Sequence, residues 1–79
     1  MKSLFAVFKD DPETPELVVE GEDAPTYFEA ARSALSIGGR PVAGLWLIDA
    51  ASNNRDVIAI FGTVPIDIAE RHVRWQDWQ

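Results

Sequence analysis

The hydrophobic and polar positions at the start of this chain predict a β-hairpin. Residues 4–8 form an aromatic and β-branched run, which favours a strand, and residues 17–20 predict the returning strand. The segment between them, residues 10–15, contains two prolines that cannot donate a ladder hydrogen bond and several acids that favour turns. We therefore expect a stiff acidic loop joining two strands.

The next block predicts one amphipathic helix. Its apolar residues recur at helical spacing in a single stripe: Tyr27, Phe28, Ala31, Ala34 and Leu35. Thr26 and Glu29 have the spacing of a capping box, and Asp23 is the rival cap. The pair Gly38 and Gly39 is predicted to end the helix by supplying a left-handed C-cap.

A second hairpin is predicted from residues 42–48 and 57–61, joined by residues 49–55, which are rich in turn formers. By strict alternation the first strand places Val42, Trp46 and Ile48 on one face and Ala43, Leu45 and Leu47 on the other. Its partner places Val57, Ala59 and Phe61 opposite to Ile58 and Ile60. Since a strand with one wet face alternates apolar with polar residues, this hairpin is predicted to be covered on both faces. The C-terminal segment, a second copy of the chain or a binding partner could provide the second cover.

Residues 66–78 are open to two interpretations. Three apolar residues recur at helical spacing, Ile66, Ala69 and Val73. Asp67 and Glu70 suit the start of a helix, whereas Val73, Trp75 and Asp77 also alternate as in a short strand. Taken with the preceding elements, the pattern predicts one α+β domain over residues 1–79, ββαββ(α). Its fold would be a four-stranded, mostly antiparallel sheet with one main helix packed on one face and a short C-terminal helix.

The charge of the chain is lopsided. Residues 10–29 contain eight carboxylates and neither lysine nor arginine, whereas from Ala30 onward five acids face five arginines, so the first third produces the net charge of -6. Such a field attracts basic surfaces and repels nucleic acid and anionic membranes. The sequence therefore predicts a basic protein partner, with no direct contact to nucleic acid or membrane.

Several classes of chemistry are disfavoured. The chain has no cysteine, and His72 is its single histidine, so neither a zinc site nor a catalytic triad can be assembled from it. Residues 38–41 follow a predicted helix instead of opening one, so they do not form a phosphate loop. We expect a protein that is not an enzyme and has no cofactor or metal. The apolar run near the N-terminus is too short for a signal peptide, and no stretch approaches a membrane span, so the expected location is cytoplasmic.

The candidate partner-binding residues fall in two sets. The acidic set is Asp10, Asp11, Glu13, Glu16, Glu20 and Glu22, and the C-terminal set is Arg74, Trp75 and Trp78. Prolines that stiffen the acidic loop would reduce the entropy lost on binding, although a solubilising hairpin tip is the competing interpretation. For the acids beside the helix start, capping and solvation are the favoured explanation. The two tryptophans either cover the open sheet face or act as interface anchors.

These features predict a small acidic protein-binding module that docks on a basic, nucleic-acid-handling protein surface and inhibits it by occlusion, its carboxylates imitating phosphates. In size and charge the chain is similar to inhibitors that phages encode against host defence, anti-CRISPR proteins included, although no motif carries that similarity. The alternative is a homo-oligomeric structural or assembly protein that uses the apolar second hairpin. A monomer and a homodimer are both compatible with the pattern. A small accessory enzyme or ligand-binding protein would require a concave pocket with convergent polar groups.

Deletion of residues 73–79 tests the role of the C-terminal set. Because this segment contains two tryptophans near two arginines, its loss is expected to destabilise the fold or to abolish association. Thermal melting and a partner-binding assay on the truncated chain measure the two effects. Unchanged melting together with unchanged binding would contradict the prediction.

Overall fold

The computed structural model describes residues 1–51 and 54–71 of the chain. Its elements, in order, are β1 Lys2–Phe8, β2 Asp11–Glu20, α1 Ala24–Ala34, β3 Ser36–Ile37, β4 Arg40–Ala51, β5 Asn54–Gly62 and α2 Ile66–Arg71. Within these residues all strand pairs are antiparallel. The sheet runs β2-β1-β4, and both β5 and the short β3 pair with β4. The α+β class is confirmed as a curled antiparallel sheet with two helices, and no helix in the described ranges is long and apolar enough to cross a membrane.

The prediction of an acidic loop at residues 10–15 is wrong, because β2 begins at Asp11 and runs through both prolines. The pairing is irregular where they lie. Phe8 is opposite Asp11 and Ala6 is opposite Glu16, so residues 12–15 face the single residue Val7. Proline is tolerated at the edge of a sheet and at bulges, and β2 pairs with β1 alone among the described strands. The prolines thus mark an irregular edge strand instead of interrupting it.

The helix is confirmed, and the rival cap Asp23 is its N-cap residue, although it makes no side-chain capping bond. The Thr26–Glu29 capping box is wrong, because the helix begins at Ala24 and Thr26 lies within its first turn. The Glu29 carboxylate accepts a hydrogen bond from Arg32 at 2.6 Å. The helix ends when Leu35 adopts a left-handed conformation with φ of 61° and donates its N–H to the carbonyl of Ala31. A left-handed cap therefore forms before the glycines are reached.

The glycine pair has a different role from the predicted C-cap. Ile37 pairs with Arg40, so Gly38 and Gly39 form the two-residue turn between β3 and β4. Both have positive φ, of 57° and 82°, which is the requirement of a type I′ hairpin turn. This turn determines where Arg40 starts β4.

Only part of the predicted helical stripe is buried. Phe28 and Ala31 lie in the core together with Ala24, whereas Tyr27 and Leu35 are 52% and 56% exposed. Ala34 is also exposed. The helix therefore packs through a narrow line of small residues around Phe28, and its flank stays open.

The second hairpin is confirmed and is longer than predicted. Most of the expected loop joins the ladder, since Asp49 is opposite Asp56 and Ala50 is opposite Arg55. The predicted face assignment fails at two bulges. Val42 and Gly44 are opposite consecutive residues of β1, so Ala43 is an extra residue of β4, and Ile58 is extra in β5 in the same way. One extra residue reverses the alternation beyond it.

The bulges redistribute the side chains between the two faces of the sheet. Val42 packs with Leu45 and Leu47, while Ala43 packs on the face of Trp46. In β5, Val57 packs on the Trp46 face, whereas Ala59 packs on the opposite face. These apolar residues thus still pack in a core, although strict alternation assigns several of them to the wrong face of the sheet.

Two hydrophobic cores lie on the two faces of the sheet. The first contains Phe28 of α1 against Leu4 and Leu45, and the second contains Trp46 with Ile68 of α2. The rings of Phe5 and Trp46 stack with centroids 5.6 Å apart. Burial of a large apolar side chain contributes about 1.5–3 kcal/mol, so each core provides a substantial part of the stability of so small a domain. Coverage of both faces of the hairpin is therefore confirmed, with α2 as one part of the second cover.

In the C-terminal segment, the helical interpretation is confirmed as far as Arg71. Its buried face differs from the predicted stripe, because Ile68 is buried whereas Ile66 is 76% exposed. The remaining residues of this segment, including the predicted contacts Arg74, Trp75 and Trp78, lie outside the described residues.

A close backbone crossing directs the chain from β5 onto the second face. Gly44 is opposite Gly62, and the N–H of Thr63 donates to the carbonyl of Ala43 at 2.9 Å. A Cβ atom added at Gly44 would overlap the carbonyl oxygen of Thr63 and lie 2.6 Å from its carbonyl carbon. The absence of a side chain at Gly44 therefore lets the connection to α2 cross β4.

Replacement of Gly44 by alanine should destabilise the protein by about 2 kcal/mol or more, because the Thr63 backbone must move to make room. The matched control is Gly38→Asn, in a turn with open space and a conformation that asparagine tolerates, where a loss below about 1 kcal/mol is expected. Urea unfolding of both variants measures the difference. Equal free energies of unfolding for the two variants would contradict the close approach of Thr63 to Gly44.

Candidate functional site

The end of the β1–β2 hairpin is held by one arginine. Arg40 donates from Nε to one Asp10 carboxylate oxygen at 3.0 Å and from Nη2 to the other at 2.8 Å. It also donates to both Glu16 oxygens, at 3.3 and 3.1 Å. We call Asp10, Glu16 and Arg40 the arginine clamp. It joins the start of β4 to the turn and the irregular edge strand of the hairpin, which lie 30 and 24 residues away from Arg40 in the sequence.

The clamp rests on the hydrophobic core. The guanidinium carbon of Arg40 lies 3.9 Å from the centroid of the Phe8 ring, a distance typical of a cation–π contact. Phe8 is itself buried in the core that contains Phe28. The N–H of Lys9 also donates to the carbonyl of Pro41 at 3.0 Å. The hairpin end is therefore anchored to β4 by a charged, an aromatic and a backbone contact.

The electrostatics of the clamp favour the charged forms of Asp10 and Arg40. The hydrogen bond from Arg40 lowers the pKa of the Asp10 carboxyl below its ordinary value, against a smaller opposing effect of desolvation. The two carboxylates in turn raise the pKa of Arg40. Two of the six predicted contact acids are thus already bound, and the clamp as a whole retains one negative charge.

Asp11 and Glu13 remain available at the same end of the hairpin. Both are exposed, and neither has an ion pair among the described residues. Glu13 and Pro12 form one wall of a groove of about 360 Å³, whose opposite wall is the connection of residues 63–65. Val7 contributes to its lining. We call this the hairpin groove.

The chemistry of the hairpin groove suits a basic side chain. Lysine and arginine bury an apolar stem while their charged heads stay in water, so the apolar lining could take the stem and Glu13 the head. Sequence reasoning missed this groove, because it depends on the backbone crossing that brings residues 63–65 close to β2. It also missed Arg40, whose partners lie 24 and 30 residues away.

The remaining acids lie at the opposite end of β2. Glu20 pairs with Ser3, and the N–H of Gly21 donates to the carbonyl of Lys2 at 2.8 Å. Glu20 and Glu22 are exposed and have no ion pair within the described part of the chain. The six predicted acids are therefore not one patch. The structure brings Asp10 and Glu16 together and separates Glu20 and Glu22 from them along the strand.

Comparison of the chain with protein-family models, curated proteins and solved structures finds no match. Across residues 1–51 and 54–71, no group of three potential ligands could hold a metal ion.

Asp10→Asn tests the clamp through the pH dependence of stability. A folded-state pKa below the ordinary 3.8 means that ionised Asp10 stabilises the fold above that pH. The contribution is lost progressively as the pH falls through the lower folded-state value. Wild type should therefore be more stable than Asp10→Asn at pH 7, and the difference should narrow at pH 3.

Urea unfolding followed by tryptophan fluorescence measures both stabilities, since Trp46 is buried. Asp11→Asn is the matched control, because it removes a neighbouring exposed carboxylate that has no ion pair within residues 1–51 and 54–71. It should have little effect at either pH. A loss in Asp10→Asn that stays constant from pH 7 to pH 3 would rule out the ionised clamp as its source.

Proposed function

We propose that this protein is a non-enzymatic, acidic protein-binding module that docks the end of its β1–β2 hairpin on a basic protein surface. The observation that carries the proposal is the hairpin end itself. There Glu13 lines an apolar groove and Asp11 lies next to its lining residue Pro12, on a hairpin braced by Arg40. Both carboxylates are exposed and have no ion pair within the described ranges. Carboxylates beside an apolar groove are complementary to lysine and arginine side chains.

The brace matters for affinity. A mobile acidic loop would lose conformational entropy on binding, whereas a hairpin already held by the clamp has little left to lose. Exposed ion pairs are individually weak, so the acids act chiefly by steering and orienting the partner. Apolar contact in the hairpin groove would add the short-range part of the affinity.

The class of partner follows from the charge. Proteins that bind nucleic acid display dense lysine and arginine to neutralise phosphates, and such a surface would attract this hairpin. Docking there would inhibit by occlusion, because nucleic acid could not occupy the same groove. The first partners to test are cytoplasmic nucleic-acid-guided effectors, of the kind that phage-encoded anti-CRISPR inhibitors block.

The homo-oligomeric assembly alternative loses the feature that motivated it. The two apolar faces of the second hairpin lie in the two cores of the chain, where Phe28 and Ile68 contact them. A second copy is therefore not required to bury them.

Charge reversal of Asp11 and Glu13 to lysine tests the proposal. Immobilised wild type is used to capture proteins from a host extract at low salt, and the captured candidate is purified and titrated by calorimetry. The double variant should bind at least tenfold more weakly, because it repels a basic surface and loses both exposed carboxylates. Wild-type affinity should fall with added salt, and bound nucleic acid should compete.

The matched control is Asp56→Lys with Glu70→Lys, which changes the net charge equally at exposed positions away from the hairpin end. Asp10 and Glu16 are left intact in both variants, since their reversal would break the clamp. Equal weakening by control and test variants would reduce the effect to net charge alone. Unchanged binding by the test variant would remove the hairpin end from the interface.

A further inference from the structure

A second groove lies between α1 and the β1–β2 pair, away from the hairpin end. It has a volume of about 230 Å³ and is open to solvent on one side. Leu4 and Val18 line it from the strands, and Tyr27 and Ala31 line it from the helix. We call it the helix groove. It exists because α1 presents alanines where larger side chains would have filled the space.

The rim of the helix groove is unusually apolar for an exposed surface. Tyr27 lines the groove and is 52% exposed. Ala30 and Ala34 also line it and are exposed. An open apolar cleft with a large exposed side chain at its margin is a typical feature of binding surfaces.

One end of the helix groove is acidic. The short connection of residues 21–23 joins the strand and the helix that form its walls, so the acids Glu22 and Asp23 lie at that end. Glu20 does not belong to it, because its partner Ser3 is opposite Ile48 and both lie on the Trp46 face of the sheet. Glu22 and Asp23 are exposed and have no ion pair among residues 1–51 and 54–71. Asp23 precedes Tyr27 by one helical turn and makes no side-chain capping bond, so capping by hydrogen bond does not occupy its carboxylate.

We propose that the helix groove receives an apolar side chain of a protein partner, leucine or phenylalanine in size, flanked by lysine or arginine. The volume suits one such side chain and is below the roughly 300–1,000 Å³ of typical small-molecule sites. Basic neighbours complement the acidic end and distinguish this partner from a neutral ligand.

This inference deepens the proposed function and rests on it for the basic character of the partner. It adds a second contact point, at the other end of the strand that carries Glu13. A partner that engages both would need two basic regions, with an apolar residue within the one that meets α1.

The probe is a five-residue peptide with phenylalanine between two pairs of lysines, titrated into the isotope-labelled protein and followed by amide chemical shifts. Shifts are expected to concentrate at Val18, Ala30 and Ala34. The matched peptide with alanine at its centre should bind at least tenfold more weakly. That difference isolates the apolar anchor from the charge.

A groove-filled variant provides the complementary test. Ala30→Met with Ala34→Met occupies the cleft at exposed helix positions with a residue of good helix propensity, so the fold should persist. This variant should bind the phenylalanine peptide at least tenfold more weakly than wild type. Ser33→Met, exposed on the same helix but outside the groove lining, should bind as wild type does.

Three results would overturn the inference. The first is equal binding of the two peptides, and the second is a set of chemical-shift changes centred on Asp11 and Glu13 instead of the helix groove. The third is a wild-type dimer that dissociates when the groove is filled, because a second copy of the chain would then be the occupant. Failure of the proposed function is seen separately. If Asp11→Lys with Glu13→Lys leaves partner binding unchanged while the probe still occupies the helix groove, the hairpin proposal falls and the helix groove stands.

Discussion

Burial of β4 on both faces is the constraint on which this fold depends. β4 pairs with β1, β3 and β5, and its side chains enter both cores, with Leu45 on one face and Trp46 on the other. A chain of 79 residues buries a smaller fraction of its surface than a larger domain does, so it cannot leave either apolar face of β4 exposed. One helix therefore covers each face. The crossing at Gly44 satisfies this requirement, because it takes the chain directly from β5 to the face of Trp46.

The position of the charge follows from that burial. With both faces of the central strands committed to apolar packing over most of their length, charged side chains lie on the edge strand, at the strand ends, in the turns and on the outer sides of the helices. β2 is an edge strand, and its acids and prolines are the residues that keep an edge from pairing with other chains. The acidic run is therefore compatible with the fold for a reason independent of any partner.

Sequence periodicity predicted both hairpins, α1 and the α+β class, because each depends on local patterning. It failed where a single extra residue or a contact between distant residues determines the structure. The bulges at Ala43 and Ile58 reverse the face of their neighbours, and no local signal marks an extra residue. Leu35 takes the left-handed cap that glycine usually provides. Arg40 binds acids on another strand, and such pairing is not readable from charge order alone.

Edge protection and partner binding make different demands on the same carboxylates. Protection needs only charge along the edge, in any orientation, and a bound arginine reduces that charge. Docking needs a backbone at a fixed position, which a bound arginine provides. Arg40 lies on the buried Phe8 and binds Asp10 and Glu16, so the clamp neutralises part of the acidic end and holds the hairpin, while Asp11 and Glu13 are unpaired within residues 1–51 and 54–71. This arrangement favours the proposed docking surface over an edge that merely repels other chains.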